Sequence, residues 1–408
     1  MWSSASRYEN LYDDIVVSVK WRSSNNTLNA FIQEASWMSK KGWNGKGTIG
    51  FYNKIYSPGY KYEREGFEMY NDGDINKGGF RFLRDMICID ICEENYPLDK
   101  YLNEITNYIN SQKIKKVFIC NCLRGRFKES IDISFLEKVC EQIDEIQISA
   151  FCTNIDILYK IKPKILQLQN QNYDIKFDLF KEKLEVLNLY NLSRDTIGCN
   201  LNESILTCDK LRSLSVSFFK KKDIEIISKM FWLRELGLCN SLEKKVFNDG
   251  LFNCKKIKKL FLQKSEFLLD SPLKLRELKE IVVLQERIVS LDFLKYCCNI
   301  EKISINYCNK LCDISKIDSC RKLKEVYFET NKSLKKFDCL GNLKMLKKIA
   351  VSSCQEIESL DFLRKLKCLD FFSVYNTNIL DFDSSFLSDI SYVSIDTKKR
   401  KYFRKNRI

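Results

Sequence analysis

Chemistry in this chain rests on cysteine, lysine and carboxylate side chains, because none of its 408 residues is a histidine. Ser-His-Asp triads, Cys-His dyads, HExxH zinc sites and histidine acid–base catalysis are therefore excluded. The glycine-rich stretch GWNGKGTIG lacks the GxxxxGK[ST] spacing of a phosphate-binding loop. The sequence therefore predicts no catalytic residues, no cofactor and no enzymatic activity.

The 18 cysteines include no CxxC pair. Cys308, Cys320 and Cys354 fall at apolar positions of a repeating pattern, which predicts small buried hydrophobic residues and no metal site. The start of the chain lacks a basic segment followed by an apolar core, as a secretory signal would have, and no apolar run is long enough to span a membrane. Together with many free thiols, these features predict a cytoplasmic protein.

The elements that would position any site follow from the stretch LKKIAVSSCQEIESLDFLRKLKCL, Leu346 to Leu369. Its apolar or cysteine residues recur every three residues, except for one step of two between Ile349 and Val351. Side chains two apart share a face only in a strand, whereas steps of three suit 3₁₀-like turns. The stretch therefore predicts a flat coil with one short strand, which must stack on copies of itself to bury its apolar row.

Such copies recur along most of the chain. Apolar residues at offsets 0, 3 and 5 from the first residue of each unit mark thirteen units, which start 20 to 29 residues apart. The units start at Ile114, Ile143, Pro163, Leu184, Leu211, Leu233, Ile257, Leu278, Ile300, Leu323, Leu346, Leu369 and Ile390.

This pattern resembles the leucine-rich repeat family, whose repeat begins L-x-x-L-x-L-x-x-N/C, and the units from Ile300 onward look most like short bacterial, internalin-type repeats. The resemblance implies an α/β solenoid: a horseshoe of about 13 repeats with a parallel concave sheet. The family's asparagine at offset 8 is present at Asn331, whereas Ser265, Cys308 and Cys354 stand there in other units.

Three regions are predicted. Residues 1–110 hold nine of the fourteen glycines and ten of the nineteen tyrosines, which suggests a small N-terminal α+β domain or a cap over the first repeat. Residues 111–397 form the solenoid. Residues 398–408, KKRKYFRKNRI, carry seven of the fourteen net positive charges and are predicted to be a disordered basic tail.

The resemblance implies that the concave face, built from offsets 2, 4 and 6, binds a partner. Offset 2 alternates in charge over six units, which favours pairing between neighbours: Glu235, Lys259, Glu280, Lys302, Glu325 and Lys348. Five aromatic residues at outward positions are candidate protein-binding residues, with packing between strands as the alternative: Phe261, Tyr327, Phe371, Tyr375 and Tyr392. The sequence therefore favours a non-enzymatic protein-binding scaffold, and family analogy suggests a bacterial immunity or effector protein.

Offset 1 is mostly basic and predicts a positively charged rim beside the strands: Arg212, Arg234, Lys258, Lys279, Lys324 and Lys347, interrupted by Glu301. With the basic tail, this rim leaves nucleic-acid association open as an alternative. An enzyme with its site in residues 1–110 is a further alternative.

Overall fold

The computed structural model describes residues 61–64, 67–71, 78–83, 86–91, 106, 109–110, 113–120, 130–148, 152–169, 174–190, 201–242, 254–265, 269–397 and 401–405. The chain divides into two compact units, Met1–Gln169 and Asn170–Ile408. Most of the N-terminal region predicted as a separate domain, including its glycine-rich stretch, lies outside the described residues.

The described part of the first unit is largely β structure. It contains helix α1 (Ile157–Ile161) and the strands β1 (Lys61–Arg64), β2 (Phe67–Asn71), β3 (Gly78–Leu83), β4 (Met86–Ile91), β5 (Lys116–Cys120), β6 (Ile131–Asp132), β7 (Glu145–Ile148), β8 (Cys152–Thr153) and β9 (Ile165–Gln169). Strands β1 to β4 pair antiparallel in chain order. Strands β4, β5, β7 and β9 then pair in parallel, so the parallel sheet crosses the predicted boundary at residue 110. β6 and β8 form a small separate parallel pair.

The second unit contains a longer parallel sheet. Its elements are helix α2 (Lys221–Ser228) and the strands β10 (Val186–Tyr190), β11 (Ser213–Ser217), β12 (Glu235–Cys239), β13 (Lys259–Gln263), β14 (Glu280–Leu284), β15 (Lys302–Asn306), β16 (Glu325–Glu329), β17 (Lys348–Ser352), β18 (Glu356–Ser359), β19 (Phe371–Tyr375), β20 (Asn378–Asp381), β21 (Tyr392–Asp396) and β22 (Lys401–Lys405). Strands β10 to β17, then β19 and β21, pair in parallel with equivalent offsets opposite each other. β18 and β20 pair beside this sheet.

All thirteen predicted repeats contain the predicted strand. Three of these repeats lie in the first compact unit of the structure and ten in the second. Their residues at offsets 0, 3 and 5 are buried; in the unit from Leu346, for example, Leu346, Ile349 and Val351 are at most 1% exposed. Each such side chain contributes roughly 1.5–3 kcal/mol when buried. The stacked-coil interpretation is therefore confirmed.

The segment that leads from the end of each strand back to the start of the next is called the return segment. The return segments contain short helices, as the steps of three residues predict. 3₁₀ helices occupy Ser134–Gln142, Phe177–Phe180, Glu203–Thr207, Asp292–Leu294, Ser315–Ser319, Asp338–Asn342, Asp361–Lys365 and Leu387–Asp389. The apolar residues on their inner side close the core; Ile317, Leu340 and Leu363, for example, are at most 4% exposed. In the unit from Leu211, the longer return segment forms α2 instead.

A left-handed residue turns the chain after the strand in eight of the repeats. In eight consecutive units the residue at offset 7 has φ between 47° and 59°: Phe218, Asn240, Lys264, Gln285, Tyr307, Thr330, Ser353 and Asn376. Its amide donates to the offset-6 carbonyl of the next unit, as Ser353 does to Tyr375 at 2.9 Å. The turn therefore begins without interrupting the hydrogen-bond ladder between repeats.

The offset-8 position closes these corners even where asparagine is absent. Asn331 accepts from the Cys308 amide at 2.9 Å and donates to the Ile305 carbonyl at 2.8 Å. Thr377 accepts in the same way from the Cys354 amide at 3.0 Å, and the Glu286 carboxylate accepts from the Ser265 amide at 2.6 Å. In each pair the side chain belongs to the following repeat, so adjacent corners are joined across the stack.

The prediction of a disordered basic tail is wrong for residues 401–405. These residues form β22, which pairs antiparallel with β21 and places Lys401 opposite Asp396. An otherwise unpaired sheet edge exposes amide and carbonyl groups, and an added strand satisfies them. The physical reason for the difference is therefore the need to cover the edge of β21.

Candidate functional site

The candidate site lies on the outward face of the second unit's sheet, built from offsets 2, 4 and 6 of strands β10 to β21. Successive side chains of a strand point to opposite faces. The residues at offsets 3 and 5 face the core, so those at offsets 2, 4 and 6 face away from it. Because equivalent offsets lie opposite each other in neighbouring strands, each offset forms a straight row across the face.

The offset-2 row is a series of ion pairs, as the alternating charges predict. Lys259 and Glu235 approach to 3.1 Å, Lys302 and Glu280 to 3.1 Å, and Lys348 and Glu325 to 2.9 Å. Burial raises the pKa of Glu325, but its hydrogen bonds to Lys348 and Tyr327 outweigh this, and the net pKa shift is downward. With three glutamates and three lysines, the row has a formal net charge of zero.

Two of the predicted aromatic residues pack against each other. The rings of Phe371 and Tyr392 stack with centroids 4.7 Å apart and an angle of 3° between their planes. Phe371 lies opposite Lys348 in the adjacent strand, so the stacked rings continue the offset-2 row beyond the last ion pair. For this pair the structure agrees with the packing alternative.

Tyr327 and Tyr375 differ in how firmly they are held. The Tyr327 hydroxyl donates to Glu325 at 3.0 Å, and the Lys302 ammonium lies 5.8 Å from its ring centroid. Tyr327 is thus oriented by the ion-pair row. Tyr375, at offset 6 near the C-terminal end of the sheet, is 58% exposed. Its ring is therefore available for contact with another molecule.

Phe261 forms part of an apolar patch that the sequence analysis did not single out. Its position lies between Gly237 and Val282 in the offset-4 row, and Leu284 follows two residues after Val282. Phe261, Val282 and Leu284 are all half-buried. Val282 and Leu284 stand at the outward offsets 4 and 6 of their repeat. The sequence pattern therefore identifies them as surface residues of this face once aliphatic residues are considered as well as aromatic ones. We refer to Phe261, Val282 and Leu284 as the apolar patch.

The predicted rim residues form one continuous row. The offset-1 amide of each repeat donates to the offset-1 carbonyl of the preceding repeat, as Lys324 does to Glu301 at 2.8 Å and Lys347 to Lys324 at 2.7 Å. The Glu301 carboxylate binds Lys324 at 2.6 Å and Lys279 at 3.0 Å. These two lysines hold the pKa of Glu301 below its ordinary value. Glu301 therefore neutralises the middle of the row.

Cys308, Cys320 and Cys354 are buried, as their positions in the repeat predict. Thirteen cysteines of the described residues, between Cys140 and Cys368, are free thiols. The described residues contain no group of three or more His, Cys, Asp or Glu side chains arranged for a metal ion. Burial raises the pKa of the Cys308 thiol to about 12 and that of Cys320 to about 11. Such thiols stay protonated at neutral pH, which makes them poor nucleophiles and poor metal ligands.

Comparison with known proteins gave matches at the level of structure. No protein-family model and no curated protein sequence matches the chain. TLR13 in its complex with ssRNA13 aligns over 77% of this chain and 49% of its own, with 12% identity and a TM-score of 0.52. An internalin from Listeria monocytogenes aligns over 74% and 93%, with 14% identity and a TM-score of 0.43. A leucine-rich repeat protein of Leptospira interrogans aligns over 72% and 74%, with 14% identity and a TM-score of 0.46.

At these identities the comparisons concern the fold alone. The alignment with TLR13, whose TM-score exceeds 0.5, and the repeated strands and corners together show that the chain has the leucine-rich repeat fold. Its internal pattern is similar to that of internalin-type repeats. No helix in the described part of the chain is long and apolar enough to cross a membrane.

Proposed function

We propose that this protein is a non-enzymatic scaffold that binds a partner protein on the outward face of its second unit. The observation that carries the proposal is the apolar patch, which lies on a regular sheet beside a row of ion pairs. Protein interfaces combine an apolar centre with a polar border in this way. Exposed Tyr375 supplies an aromatic anchor farther along the same face.

The backbone around this face is fixed before any partner arrives. In the long parallel sheet, each strand from β11 to β17, together with β19 and β21, is hydrogen-bonded on both sides, and the corners are joined across the stack. A rigid surface loses little conformational entropy on association. The arrangement therefore favours binding of a partner to a preformed surface, without a conformational change in this protein.

The non-enzymatic assignment is supported by the state of the acidic side chains on this face. Glu235, Glu280 and Glu325 are each bound to a lysine. Efficient general acids and bases need pKa values near the working pH, and the lowered pKa of Glu325 moves away from that range. These groups therefore act to maintain the face.

The cytoplasmic location is also part of the proposal. The thirteen free thiols in the described residues suit a reducing compartment, where cysteines remain unpaired. A role in bacterial immunity or as an effector stays a prediction from family resemblance. Nucleic-acid association stays an alternative that rests on the basic residues at offset 1.

The test is affinity purification from the native cells, with and without nuclease, using the wild type and two matched double variants. Leu284→Ala/Tyr375→Ala truncates two side chains on the outward face. Val289→Ala/Tyr296→Ala also truncates one aliphatic side chain and one tyrosine, which are exposed on the return segment at 55% and 45%. We expect the wild type and the return-segment variant to retain a nuclease-resistant protein partner in fixed ratio, and the face variant to lose about 2 kcal/mol or more of binding free energy.

Equal retention by both variants would remove the outward face from consideration. Recovery of nuclease-sensitive material alone would favour the nucleic-acid alternative. Circular dichroism of each variant verifies that the fold is unchanged.

A further inference from the structure

A wider band of charge accompanies the offset-1 row. In the repeats from Leu211 to Leu369 the offset-0 amide donates to the carbonyl three residues earlier, for example Leu323 to Cys320 at 2.9 Å and Leu346 to Leu343 at 3.0 Å. This hydrogen bond closes a tight turn, whose two central residues precede offset 0. We call these two residues of each turn, together with the following offset-1 residue, the basic band, taken over the eight units that start from Leu211 to Leu369.

The basic band holds much of the chain's positive charge. It contains fourteen Lys and Arg residues against four Asp and Glu residues, in a chain with a net charge of +14. The basic residues are Lys210, Arg212, Arg234, Lys255, Lys256, Lys258, Arg276, Lys279, Arg321, Lys322, Lys324, Lys344, Lys347 and Lys367. The acidic residues are Asp209, Glu277, Glu301 and Asp370.

Few of these cations have acidic partners. Within the described ranges, Lys279 and Lys324 form ion pairs, both with Glu301, and the other twelve form none. In the adjacent offset-2 row, by contrast, Lys259, Lys302 and Lys348 each bind a glutamate. The basic band is therefore a surface of unneutralised charge beside a neutral row.

The charge is not spread evenly along the band. The unit from Ile257 contributes Lys255, Lys256 and Lys258, and the following turn contributes Arg276. Glu277 and Glu301 then lower the charge in the next two units, before it rises again from Arg321. A phosphate backbone following the band would meet these carboxylates midway, whereas acidic side chains of a protein can be spaced to avoid them.

The densest part of the basic band lies at the N-terminal ends of the two strands that carry the apolar patch. Lys255, Lys256 and Lys258 lead into the strand that carries Phe261, and Arg276 leads into the strand that carries Val282 and Leu284. A single partner covering the patch would therefore present its edge to these cations. We infer that the partner is a protein with an acidic segment, rich in Asp and Glu, that lies along the basic band. This inference rests on the proposed function and adds the chemistry of the partner to it.

The experiment measures binding of a fluorescein-labelled oligoglutamate peptide to the full chain by fluorescence anisotropy over a range of salt concentrations. The band variant is Lys255→Glu/Lys256→Glu/Lys258→Glu. The control variant is Lys310→Glu/Lys316→Glu/Lys332→Glu, which makes the same change of net charge at three exposed lysines on the return segments. A neutral Lys→Gln triple variant at the band positions separates loss of attraction from repulsion or misfolding.

We expect the wild type to bind the peptide with an affinity that falls as salt rises. We expect the band variant to bind at least about tenfold more weakly, the Lys→Gln variant to show a smaller loss in the same direction, and the control variant to change less than about twofold. Absence of peptide binding by the wild type, or equal losses in the band and control variants, would overturn the inference.

The nucleic-acid alternative is measured in the same assay with an oligothymidylate of equal charge. Weaker binding of the oligothymidylate agrees with the inference, and tighter binding overturns it. The Leu284→Ala/Tyr375→Ala variant keeps the basic band intact, so it should bind oligoglutamate like the wild type. Failure of the outward face as a binding site and failure of the basic band are thereby measured separately.

Discussion

At the scale of single residues, the repeats depend on a few buried polar contacts as much as on their apolar rows. Asn331 is fully buried and satisfies one backbone amide and one backbone carbonyl of the preceding repeat. Removing a side chain that satisfies buried backbone groups costs more than a typical exposed hydrogen bond, because those groups lose a partner without regaining water.

Asn331→Ala should therefore lower the free energy of unfolding by about 3 kcal/mol, measured by urea denaturation. Asn309→Ala is the control, because Asn309 is exposed, and it should change stability by less than about 0.5 kcal/mol. Similar small losses in both variants would show that the corner hydrogen bonds contribute little.

The left-handed corner offers a prediction of the opposite sign. Lys264 is exposed with φ of 48°, a conformation that costs a residue with a Cβ about 1–2 kcal/mol. Lys264→Gly should raise the free energy of unfolding by about 0.5 kcal/mol, after the entropy cost of glycine is subtracted. Lys310→Gly, outside any left-handed position, should instead destabilise by about 0.5–1 kcal/mol; thermal melting of both variants gives the comparison. A loss of stability in both would contradict the strain assigned to Lys264.

At the scale of elements, the sequence predicted the strands that share the repeat and missed those that depart from it. β4 begins an apolar alternation at Ile87, but the residue at its offset 0 is Arg84, so the pattern gave no match. β22 was missed because its sequence, KYFRK, is dominated by charge. Its pairing comes from the need to cover the edge of β21, which is a tertiary effect that local periodicity does not contain.

The same limit explains what was missed at the candidate site. The rows at offsets 2 and 4 were readable from spacing, including the ion pairs and the position of Tyr327. The stacking of Phe371 on Tyr392 depends on the distance between their rings, which the spacing of residues in the sequence does not give. The residues that replace the offset-8 asparagine were likewise not recognised from the sequence. Glu286, for example, accepts a hydrogen bond from the corner of the preceding repeat and not from its own.

Removal of residues 401–408 tests the role of β22. We expect the shortened chain to unfold at a lower temperature and to associate as its concentration rises, because the edge of β21 is left open. Sedimentation velocity and thermal melting measure the two effects. Removal of residues 406–408 alone serves as the control, since it leaves the β21–β22 register intact. An unchanged melting temperature and a monomeric shortened chain would contradict the assigned role.

At the scale of the whole molecule, stability in a stacked structure is a sum over repeats and their interfaces. Leu260, in β13, is 1% exposed. Leu260→Asp places an unpaired charge in the core, and we expect loss of amide protection in β12, β13 and β14 while β16 to β19 remain protected. Hydrogen exchange with mass spectrometry measures this difference, with Lys256→Asp as the exposed control. Full amide protection in Leu260→Asp, or a uniform loss of protection along the chain, would contradict the view that each repeat is stabilised mainly by contacts with its neighbours.

The central claim is that the outward face of the second unit binds a protein. The most direct measurement is photo-crosslinking in the native cells with a photoreactive phenylalanine analogue at position 282 or 289. Val282 lies on the outward face, and Val289, in the same repeat, lies on the exposed return segment. The account predicts a protein cross-link from position 282 and none from position 289. A cross-link from position 289 without one from position 282 would contradict it.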